Sequence, residues 1–547
     1  MATLPIPPFK RRSTTVYNSF RGVDLSGDST KIDNTRSPWA PNLVSDNGGL
    51  PEKRVGWRSL ARVEAPVNGL FYLHRGGEGH WLVHGGTKIY RWYPDRAGGE
   101  LLELAGMLNS APSSAFASGG YLYILTGREY LRYDGSELRR ATDFATVPTV
   151  TISRPPAGGG VLYEQINLLQ PKRTDSFLAD GESRVYQLSA TGIDSVALVL
   201  LNGAPCTISH TVDTGSGRVT FASAPPAPQV EGQDNLQITF SKEVPGYADR
   251  ILRCRFWSQY GTGGADYHFV AGNPDFPNRD WHCALKDPTY FPDLGYADVG
   301  AEGTAITGYA QVGETLAILK QENAQDATIF LRSVQTLDGE VVFPLRQGVA
   351  GIGSLTHHAV GNIRDEPLFL SRTGVYAIAT GSILQKRVVQ NRSYFVDPLL
   401  CREEGLDQAV AVAWQGRYLV CVNGNCYVLD GTQRKTWRSQ SEVDYVYECY
   451  HWDNIPARCF LEHDGALYFG TATGLICRFN TDQEAPDCYH DNGAAILCMW
   501  STKDDDDGDF MQRKALCRRG CGVQVKSSEG AACRCCSTRR RSVRWRR

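Results

Sequence analysis

The clusters of acidic, histidine and cysteine residues in this 547-residue sequence are the places where a metal could bind. The segment Asp504–Asp509 is close to a calcium loop, but the order D-x-D-x-D-G needs an aspartate at position 503, which is Lys503. The pairs His357-His358 and His282-Cys283 are adjacent, and adjacent residues of a strand point to opposite faces of the sheet. The sequence therefore predicts a solvated acidic turn and core or surface histidines, with no metal site.

Three further features could bind or cleave glycans. Asp430-Gly431-Thr432, followed by Trp437, echoes the hairpin motif S-x-D-x-G-x-T-W, but Asp430 and Gly431 are adjacent here, so we interpret the segment as a hairpin turn with a packed tryptophan. Trp81, Tyr90 and Trp92 could stack on sugars, although their alternating positions favour a core between sheets. Glycoside hydrolysis needs two carboxylates at a defined separation, and the sequence favours no particular pair.

The common catalytic motifs are missing from the sequence. It has no G-x-S-x-G nucleophile elbow, no H-E-x-x-H motif and no phosphate-binding P-loop. In the tail, Cys533-Arg-Cys-Cys536 lacks the second ligand pair of a zinc knuckle. We therefore predict no catalytic residue, no cofactor site and no metal ligand, and we expect a protein that is not an enzyme.

Charge is distributed unevenly along the chain. It has 57 Lys+Arg against 59 Asp+Glu, and residues 513–547 hold 12 of the basic residues and a single acidic one, Glu529. The remaining residues carry a net negative charge, which disfavours binding of their surface to DNA phosphates. No apolar run approaches the roughly 18 residues that span a bilayer, and no secretion signal is visible, so we expect no membrane contact and reduced, structural cysteines.

Short β-runs separated by glycine turns repeat along the chain. Gly85 and Gly127 lie 42 residues apart, and Gly374, Gly424 and Gly474 follow one another at intervals of 50 residues. Repeats of about 40–50 residues with several strands each are typical of propeller blades, which cover one another's apolar faces. The sequence predicts an all-β fold with six or seven blades.

The repeat is interrupted once, and this interruption sets the domain boundaries. Residues 146–247 begin with a Pro/Gly linker and continue with closely spaced turns, which predicts a small inserted immunoglobulin-like β-sandwich. The first blades then occupy residues 61–145 and the remaining blades 248–512. Residues 1–60 are expected to form an extended arm, and residues 513–547 a basic, cysteine-rich tail that is disordered or results from a reading-frame change.

Several segments resemble structural proteins of tailed bacteriophages and prophages. The opening, with Arg21–Leu25, Ser37–Asn42 and Gly48–Trp57, is similar to the start of head-completion and tail-associated propellers. Gly272–Asn278 and Asp287–Asp293 resemble prophage proteins of Gram-positive gut bacteria. The resemblance covers about residues 15–515 and implies a structural role in a virion, as in the packaged-DNA stabilisation proteins of short-tailed phages.

This resemblance implies the expected function and partners. We expect a neck, head-completion or tail component that contacts portal, adaptor or tail proteins, assembles as a homo-oligomer and could touch packaged DNA. It would be found in the virion, and in the host cytoplasm before assembly. The alternative is a glycan-binding or glycan-hydrolysing propeller associated with the tail.

Overall fold

The structure is a computed structural model that describes residues 16–504 apart from 46–48, 97, 264–265, 365, 381–386, 439–442 and 486. The predicted tail at 513–547 and all of Asp504–Asp509 except Asp504 lie outside the described residues. The described part is all-β, as predicted, and is built of many small sheets. Its two helices have one turn each, Asp249–Leu252 and Asp397–Leu400, and its 3-10 turns are Ala141–Phe144, His357–Ala359 and Leu406–Gln408.

Three strands and two four-stranded sheets precede the interruption of the repeat. The N-terminal strands are β1 (Leu43–Ser45), β2 (Pro51–Lys53) and β3 (Trp57–Arg62). The first sheet consists of β4 (Val67–Arg75), β5 (Glu78–Gly85), β6 (Lys88–Tyr93) and β7 (Glu100–Ala105). The second consists of β8 (Ser114–Ser118), β9 (Tyr121–Leu125), β10 (Tyr130–Tyr133) and β11 (Leu138–Arg140).

The segment predicted as an insert forms two sheets that share one apolar core. Its strands are β12 (Thr149–Arg154), β13 (Val161–Leu162), β14 (Lys172–Phe177), β15 (Val185–Gln187), β16 (Ser195–Leu201), β17 (Ala204–Pro205), β18 (His210–Asp213), β19 (Arg218–Phe221) and β20 (Leu236–Ser241). Strands β15, β18 and β19 form the smaller sheet and the others the larger. Phe177, Tyr186, Phe221 and Phe240 are buried in the core that joins the strands.

The repeat resumes with five more sheets. The third sheet has β21 (Phe256–Tyr260), β22 (Tyr267–Ala271), β23 (Arg279–His282) and β24 (Tyr296–Asp298). The fourth has β25 (Ile306–Val312), β26 (Thr315–Lys320), β27 (Ile329–Arg332) and β30 (Leu345–Val349), and a hairpin of β28 (Gln335–Leu337) and β29 (Glu340–Val342) lies between its last two strands in sequence. The fifth has β31 (Val360–Ile363), β32 (Glu366–Ser371), β33 (Gly374–Thr380) and β34 (Arg387–Asn391).

The sixth and seventh sheets complete the series. The sixth has β35 (Val410–Trp414), β36 (Arg417–Val422), β37 (Asn425–Arg438) and β38 (Val443–Trp452). The seventh has β39 (Ala457–His463), β40 (Ala466–Thr471) and β41 (Leu475–Phe479), followed by β42 (His490–Asp491) and β43 (Ala494–Ala495).

Two-residue turns set the register of many hairpins. Asn423 and Gly424 have φ of 52° and 82°, and Asp464 and Gly465 have φ of 49° and 76°. Positive φ at both central residues matches the natural twist of a hairpin, and Asn-Gly and Asp-Gly accept it at low cost. This turn chemistry explains why the glycine period is visible in the sequence.

The seven repeat sheets of the described residues form a closed ring. The first strand of each sheet contacts the first strand of the next in the order β4, β8, β21, β25, β31, β35 and β39, and β39 in turn contacts β4. These first strands, here called the inner ring, lie at one edge of their sheets. The architecture is therefore propeller-like.

Strand β3 closes the ring from the other end of the chain. It pairs antiparallel with β41, with Trp57 opposite Phe479 and Arg62 opposite Leu475. Strand β3 begins at Trp57, inside the N-terminal segment 1–60. The seventh sheet therefore combines this N-terminal strand with C-terminal strands.

The segment 16–56 lies along the sixth sheet. Val23 N donates to Cys449 O at 2.8 Å and Asn42 N donates to His451 O at 2.9 Å, both on β38. Phe20 is fully buried against Tyr450 and Trp500. The segment covers β38, the edge strand of the sixth sheet, and its apolar side chains belong to the largest apolar core. No helix of the described residues is long and apolar enough to span a membrane.

Candidate functional site

The inner ring is the natural place for a site because it surrounds the axis of the molecule. Within its seven strands, all of which are described, Glu462 near the end of β39 is the sole carboxylate. Glu462 Oε1 accepts the N–H of Gly465 at 2.8 Å and so stabilises the β39–β40 turn. The inner ring therefore lacks the pair of facing carboxylates that glycoside hydrolysis needs.

Basic and amide side chains stand at or just before the starts of several inner strands. We call this end of the ring the axial mouth, and define it by Asn68, Arg255, His357, His358 and Arg458. Two contacts connect these starts: Arg458 of β39 donates to Asn68 of the neighbouring β4, and His357, just before β31, stacks on Phe256 of β21, two places away in the ring.

Arg458 is held by an amide and not by an acid. Its Nη2 donates to Asn68 Oδ1 at 3.3 Å, and Asn68 Nδ2 in turn donates to Gly86 O at 3.0 Å, which sets the orientation of the amide. The Nε atom of Arg458 is buried and has no hydrogen-bond partner. No carboxylate of the described residues pairs with Arg458, so its charge lacks a counterion.

His357 and His358 follow Thr356 on a 3-10 turn, not on a strand as the sequence reasoning assumed. Thr356 Oγ1 accepts the N–H of His358 at 3.3 Å and caps the turn. On this turn the two rings do not point to opposite faces, and their centroids are 3.8 Å apart. The Nε2 atom of His357 is buried without a partner.

Burial keeps both histidines of the mouth neutral. Burial, with a smaller effect from the positive charge of Arg458, lowers the pKa of His358 to about 4. Burial also lowers the pKa of His357 well below its usual value, assisted by His358 and Arg255. A neutral imidazole carries one N–H donor and one acceptor nitrogen.

Arg255 lies directly before β21, the inner strand of the third sheet. Ser114 Oγ donates to its backbone oxygen at 2.7 Å, which ties the start of β8 to the start of β21. Its side chain passes over Gly127, where a Cβ atom would lie 3.1 Å from Arg255 Cγ. Arg255 is exposed and, within the described residues, forms no ion pair.

The buried carboxylates have structural partners away from the mouth. Arg332 donates two hydrogen bonds to Asp280, at 2.6 Å and 2.8 Å, between the fourth and third sheets. Glu366 accepts from Arg392 of its own sheet at 2.7 Å and also binds Tyr447 of the next sheet. The remaining buried carboxylates accept hydrogen bonds in the same way, namely Asp24, Asp175, Asp430, Glu448 and Asp491.

The residues considered for glycan binding have other roles. Trp81 packs edge to face with Trp92 at 5.4 Å and with Tyr72 at 5.1 Å, between the first and seventh sheets. Tyr90 packs against the same apolar core. These aromatics form the core between sheets that their alternation favoured.

Asp430 is not in a hairpin turn, so that interpretation was wrong. The chain continues through it as β37, with a register shift between Asp430 and Arg434. A β-bulge of this kind bends a strand locally, and β37 pairs with β38 on both sides of it. Asp430 accepts Arg417 Nε and Thr432 N at 2.9 Å and 2.8 Å, which uses its carboxylate structurally.

The other residues considered as metal ligands make local structural contacts. Asp504 accepts the hydroxyl of Ser29 at 2.6 Å, which ties it to the N-terminal segment. His282 ends β23 and its Nδ1 lies 3.0 Å from Cys283 O. Among the described residues no group of three His, Cys, Asp or Glu side chains is placed to hold a metal. The eleven described cysteines are free thiols.

Two surface cavities lie away from the axial mouth. One, of 600 Å³, is an open groove of the segment 146–247, bounded by Pro155, Leu178 and Pro228. The other, of 430 Å³, is bounded by Met107, Arg128 and Leu252. The first is lined by two carboxylates, Asp180, which accepts hydrogen bonds within its own turn, and Glu231, and neither cavity is lined by an exposed aromatic side chain.

The sequence reasoning did not single out Arg458, Asn68 or Arg255. Each stands at or just before the start of an inner strand, in a register that only the assembled ring brings together. Asn68 and Arg458 are both the second residue of their strands, but the other five inner strands have neither a basic nor an amide residue at that position.

Comparisons with known proteins give only distant likenesses. No protein-family model and no curated protein sequence matches the chain. Among solved structures, the AfRom2 CNH domain has a TM-score of 0.39 and 8% identity, covering 78% of this chain and 100% of that one. BamB from Moraxella catarrhalis has a TM-score of 0.32 and 11% identity, covering 86% and 99%. The computationally designed Ika8 protein has a TM-score of 0.33 and 9% identity, covering 77% and 98%. Likenesses this distant say nothing about what the chain does.

Proposed function

We propose that the chain is a non-enzymatic structural protein of a phage or prophage virion, a neck, head-completion or tail component that acts as a rigid scaffold. In finer terms, the ring is a seven-bladed β-propeller and residues 146–247 are an inserted, immunoglobulin-like β-sandwich. The resemblance of Arg21–Leu25 and Gly48–Trp57 to virion propellers motivates the proposal.

The observation that carries it is how the buried charges are used. Asp280–Arg332 and Glu366–Tyr447 connect neighbouring sheets from within the core. A buried pair resists separation because moving one sheet away would leave an uncompensated charge in an apolar environment. Together with closure by β3, these contacts favour a body that keeps its shape under load, which a neck or tail component requires.

The partners follow from the same proposal. Rigid loops at the faces of the ring would contact portal, adaptor or tail proteins, and several copies would assemble around the particle axis as a homo-oligomer. The chain would be in the host cytoplasm before assembly and in the virion afterwards, with contact to packaged DNA confined to local basic features.

The test is to look for the protein in particles. Particles induced from the bacterium that carries the gene would be purified on a density gradient and analysed by mass spectrometry. Peptides of the chain should co-sediment with portal and major capsid proteins at a constant ratio across the particle peak. Recovery in the soluble fraction alone, with clean particles, would refute the virion role.

The alternative glycan-hydrolysing function is tested on the purified full-length chain. Host cell-wall and surface polysaccharides should release no new reducing ends on incubation with it. Release that is lost in Glu462→Gln, the variant of the sole inner-ring carboxylate, would instead favour the enzyme.

A further inference from the structure

Cys421 and Cys426 face each other across the hairpin of β36 and β37. They are direct partners in the register of these antiparallel strands. Both belong to the largest apolar core, with exposed fractions of 1% and 0%. Within the strand pairs of the described residues, no other register position places a cysteine opposite a cysteine. The hairpin therefore holds two thiols side by side on one face of the sixth sheet.

The turn at the end of the hairpin determines which kind of cross-strand pair the cysteines form. Asn423 and Gly424 are its two central residues, so the residues that flank them form the hydrogen-bonded pair that closes the turn. The next pair along an antiparallel ladder is a non-hydrogen-bonded one, in which the Cα atoms lie about 4.5 Å apart. A disulfide needs a Cα separation of about 4.4–6.8 Å. Cys421 and Cys426 therefore occupy positions that a disulfide can join.

The surroundings of the two thiols favour the reduced form while the hairpin is closed. Burial, with a smaller effect from the neighbouring Cys426 thiol, raises the pKa of the Cys421 thiol well above its usual value. Thiol–disulfide exchange requires a thiolate, so the closed hairpin reacts slowly. Asn423 in the turn is exposed and lies two residues from Cys421, so opening of the hairpin end is enough to give access to the thiols.

We propose that Cys421 and Cys426 form a reversible cross-strand disulfide, open in a reducing compartment and closed by exchange with a low-molecular-weight disulfide in an oxidising one. The bond joins the two central strands of the sixth sheet, next to β38, on which the segment 16–56 lies. The chemistry goes beyond the scaffold function and does not depend on it.

The exchange proceeds in two balanced steps. One cysteine loses its proton, and its sulfur attacks a sulfur of the small disulfide, which forms a mixed disulfide and releases one thiolate. The thiolate of the second cysteine then attacks the protein sulfur of the mixed disulfide and releases the other thiolate. The two cysteines are oxidised, the small disulfide is reduced to two thiols, and these thiols take up the two protons.

The test uses the full-length chain, first reduced and then incubated in the folded state with excess oxidised glutathione. The remaining thiols are blocked with N-ethylmaleimide after denaturation, and the tryptic peptides are analysed by mass spectrometry. Residues 418–434 form one tryptic peptide that contains both cysteines and no other. This peptide should be lighter by two hydrogen atoms and carry no maleimide. From the chain kept in dithiothreitol, the same peptide should carry two maleimides.

The chain offers an internal control and two matched variants. Cys449 is fully buried in the same sheet but lies opposite a leucine, so its tryptic peptide, residues 439–458, should carry one maleimide in both samples. Cys426→Ala should leave Cys421 with a maleimide or a glutathione in place of the bridge. Cys477→Ala removes a fully buried thiol of the neighbouring sheet and should keep the bridge.

The peptide from the parent chain decides the proposal even where a variant fails to fold. Two maleimides, or a glutathione adduct without a bridge, on residues 418–434 after the incubation would overturn it. A bridge that forms after denaturation but not in the folded chain would also overturn it, because the pairing would then not come from the fold. A bridge that dithiothreitol does not reopen in the folded chain would refute its reversibility.

Discussion

Asp280 and Arg332 have side chains that are each 1% exposed and form a two-bonded ion pair between neighbouring sheets. Tyr309 Oη adds a third hydrogen bond to Asp280 at 2.9 Å. Burying two charges is expensive, so such a pair need not be more stabilising than apolar residues of the same volume. We expect its effect to be on specificity, since both charges are paired only in the arrangement in which the two sheets meet.

Replacing one partner of this pair should be costly. Asp280→Asn leaves the guanidinium of Arg332 buried and unpaired, and we expect a loss of about 3–5 kcal/mol. Asp298→Asn on the same sheet is the matched control, because Asp298 is 49% exposed and its pair with Arg279 should contribute about 1 kcal/mol or less. Thermal melts of both variants check this, and equal shifts in melting temperature would contradict it.

His84 shows how burial makes stability depend on pH. The side chain is fully buried, its Nδ1 lies 2.7 Å from Ser113 Oγ, and burial lowers its pKa to about 4 from a normal value of 6.5. Between these two pH values the unfolded chain binds a proton that the folded chain excludes. Stability from neutral His84 is therefore complete above pH 6.5 and is lost as the pH falls towards 4.

We expect the melting temperature to fall over this range, with His84 contributing up to about 3 kcal/mol. His84→Asn removes one group that takes up a proton on unfolding. The slope of the unfolding free energy against pH should therefore be smaller in the variant by the contribution of one proton, whatever the stability of the variant at neutral pH. The other histidines whose pKa values burial lowers keep the remaining slope, among them His268 and His358, at about 4 each. An unchanged slope in the variant would show that His84 does not take part.

At the scale of elements, the segment 16–56 is held on β38 by close backbone contacts. Gly22 has φ of +84°, and a Cβ atom there would lie 2.4 Å from Cys449 O. Both the left-handed conformation and the close approach require glycine at this position. The docking of the whole segment therefore depends on a residue that has no side chain.

Gly22→Ala should loosen the segment without unfolding the ring. We expect faster tryptic cleavage between Arg21 and Lys53, because the segment would detach from β38 more often. Gly27→Ala is the matched control, since a Cβ atom at Gly27 meets nothing within 4 Å. Equal cleavage rates, measured by mass spectrometry over time, would show that the contact at Gly22 does not hold the segment.

The elements that could be predicted from the sequence are those encoded by local chemistry. Dipeptides such as Asn423-Gly424 mark hairpins directly, so the all-β class and the glycine repeat were visible. The bulge after Asp430 and the 3-10 turn at His357 were missed, because both depend on tertiary contacts and leave no turn signal of their own. The sequence likewise did not reveal Arg458 beside Asn68, since 390 positions separate them.

At the scale of the whole molecule, closure of the ring joins distant parts of the chain. Strand β3 finds its partner in β41, and the buried pair Arg54–Asp491 makes a second contact beside it, with side chains 0% and 3% exposed. The first and seventh sheets also share a core that includes Trp92 and Tyr468. The N-terminal and C-terminal parts of the chain are therefore joined at this junction by strand pairing, an ion pair and a shared core.

A chain that ends at Thr473 lacks β41 and leaves β3 without a partner. We expect this truncation to lose its cooperative melt, because the first and seventh sheets would expose apolar faces to water. A chain that ends at Asp504 is the control, since the contacts described above lie before that point. Circular dichroism melts and gel filtration compare the two, and a cooperative melt of the shorter chain at the control's temperature would contradict the expectation.

The position of β3 also has a consequence for synthesis. The ribosome makes Trp57 early, and Phe479, its partner, emerges only when most of the protein has been translated. Until then this N-terminal strand offers unpaired hydrogen-bonding groups to any other nascent chain, which is the usual route to swapped or aggregated products. Production yield should therefore respond more to translation speed and chaperone supply than to the stability of the finished protein.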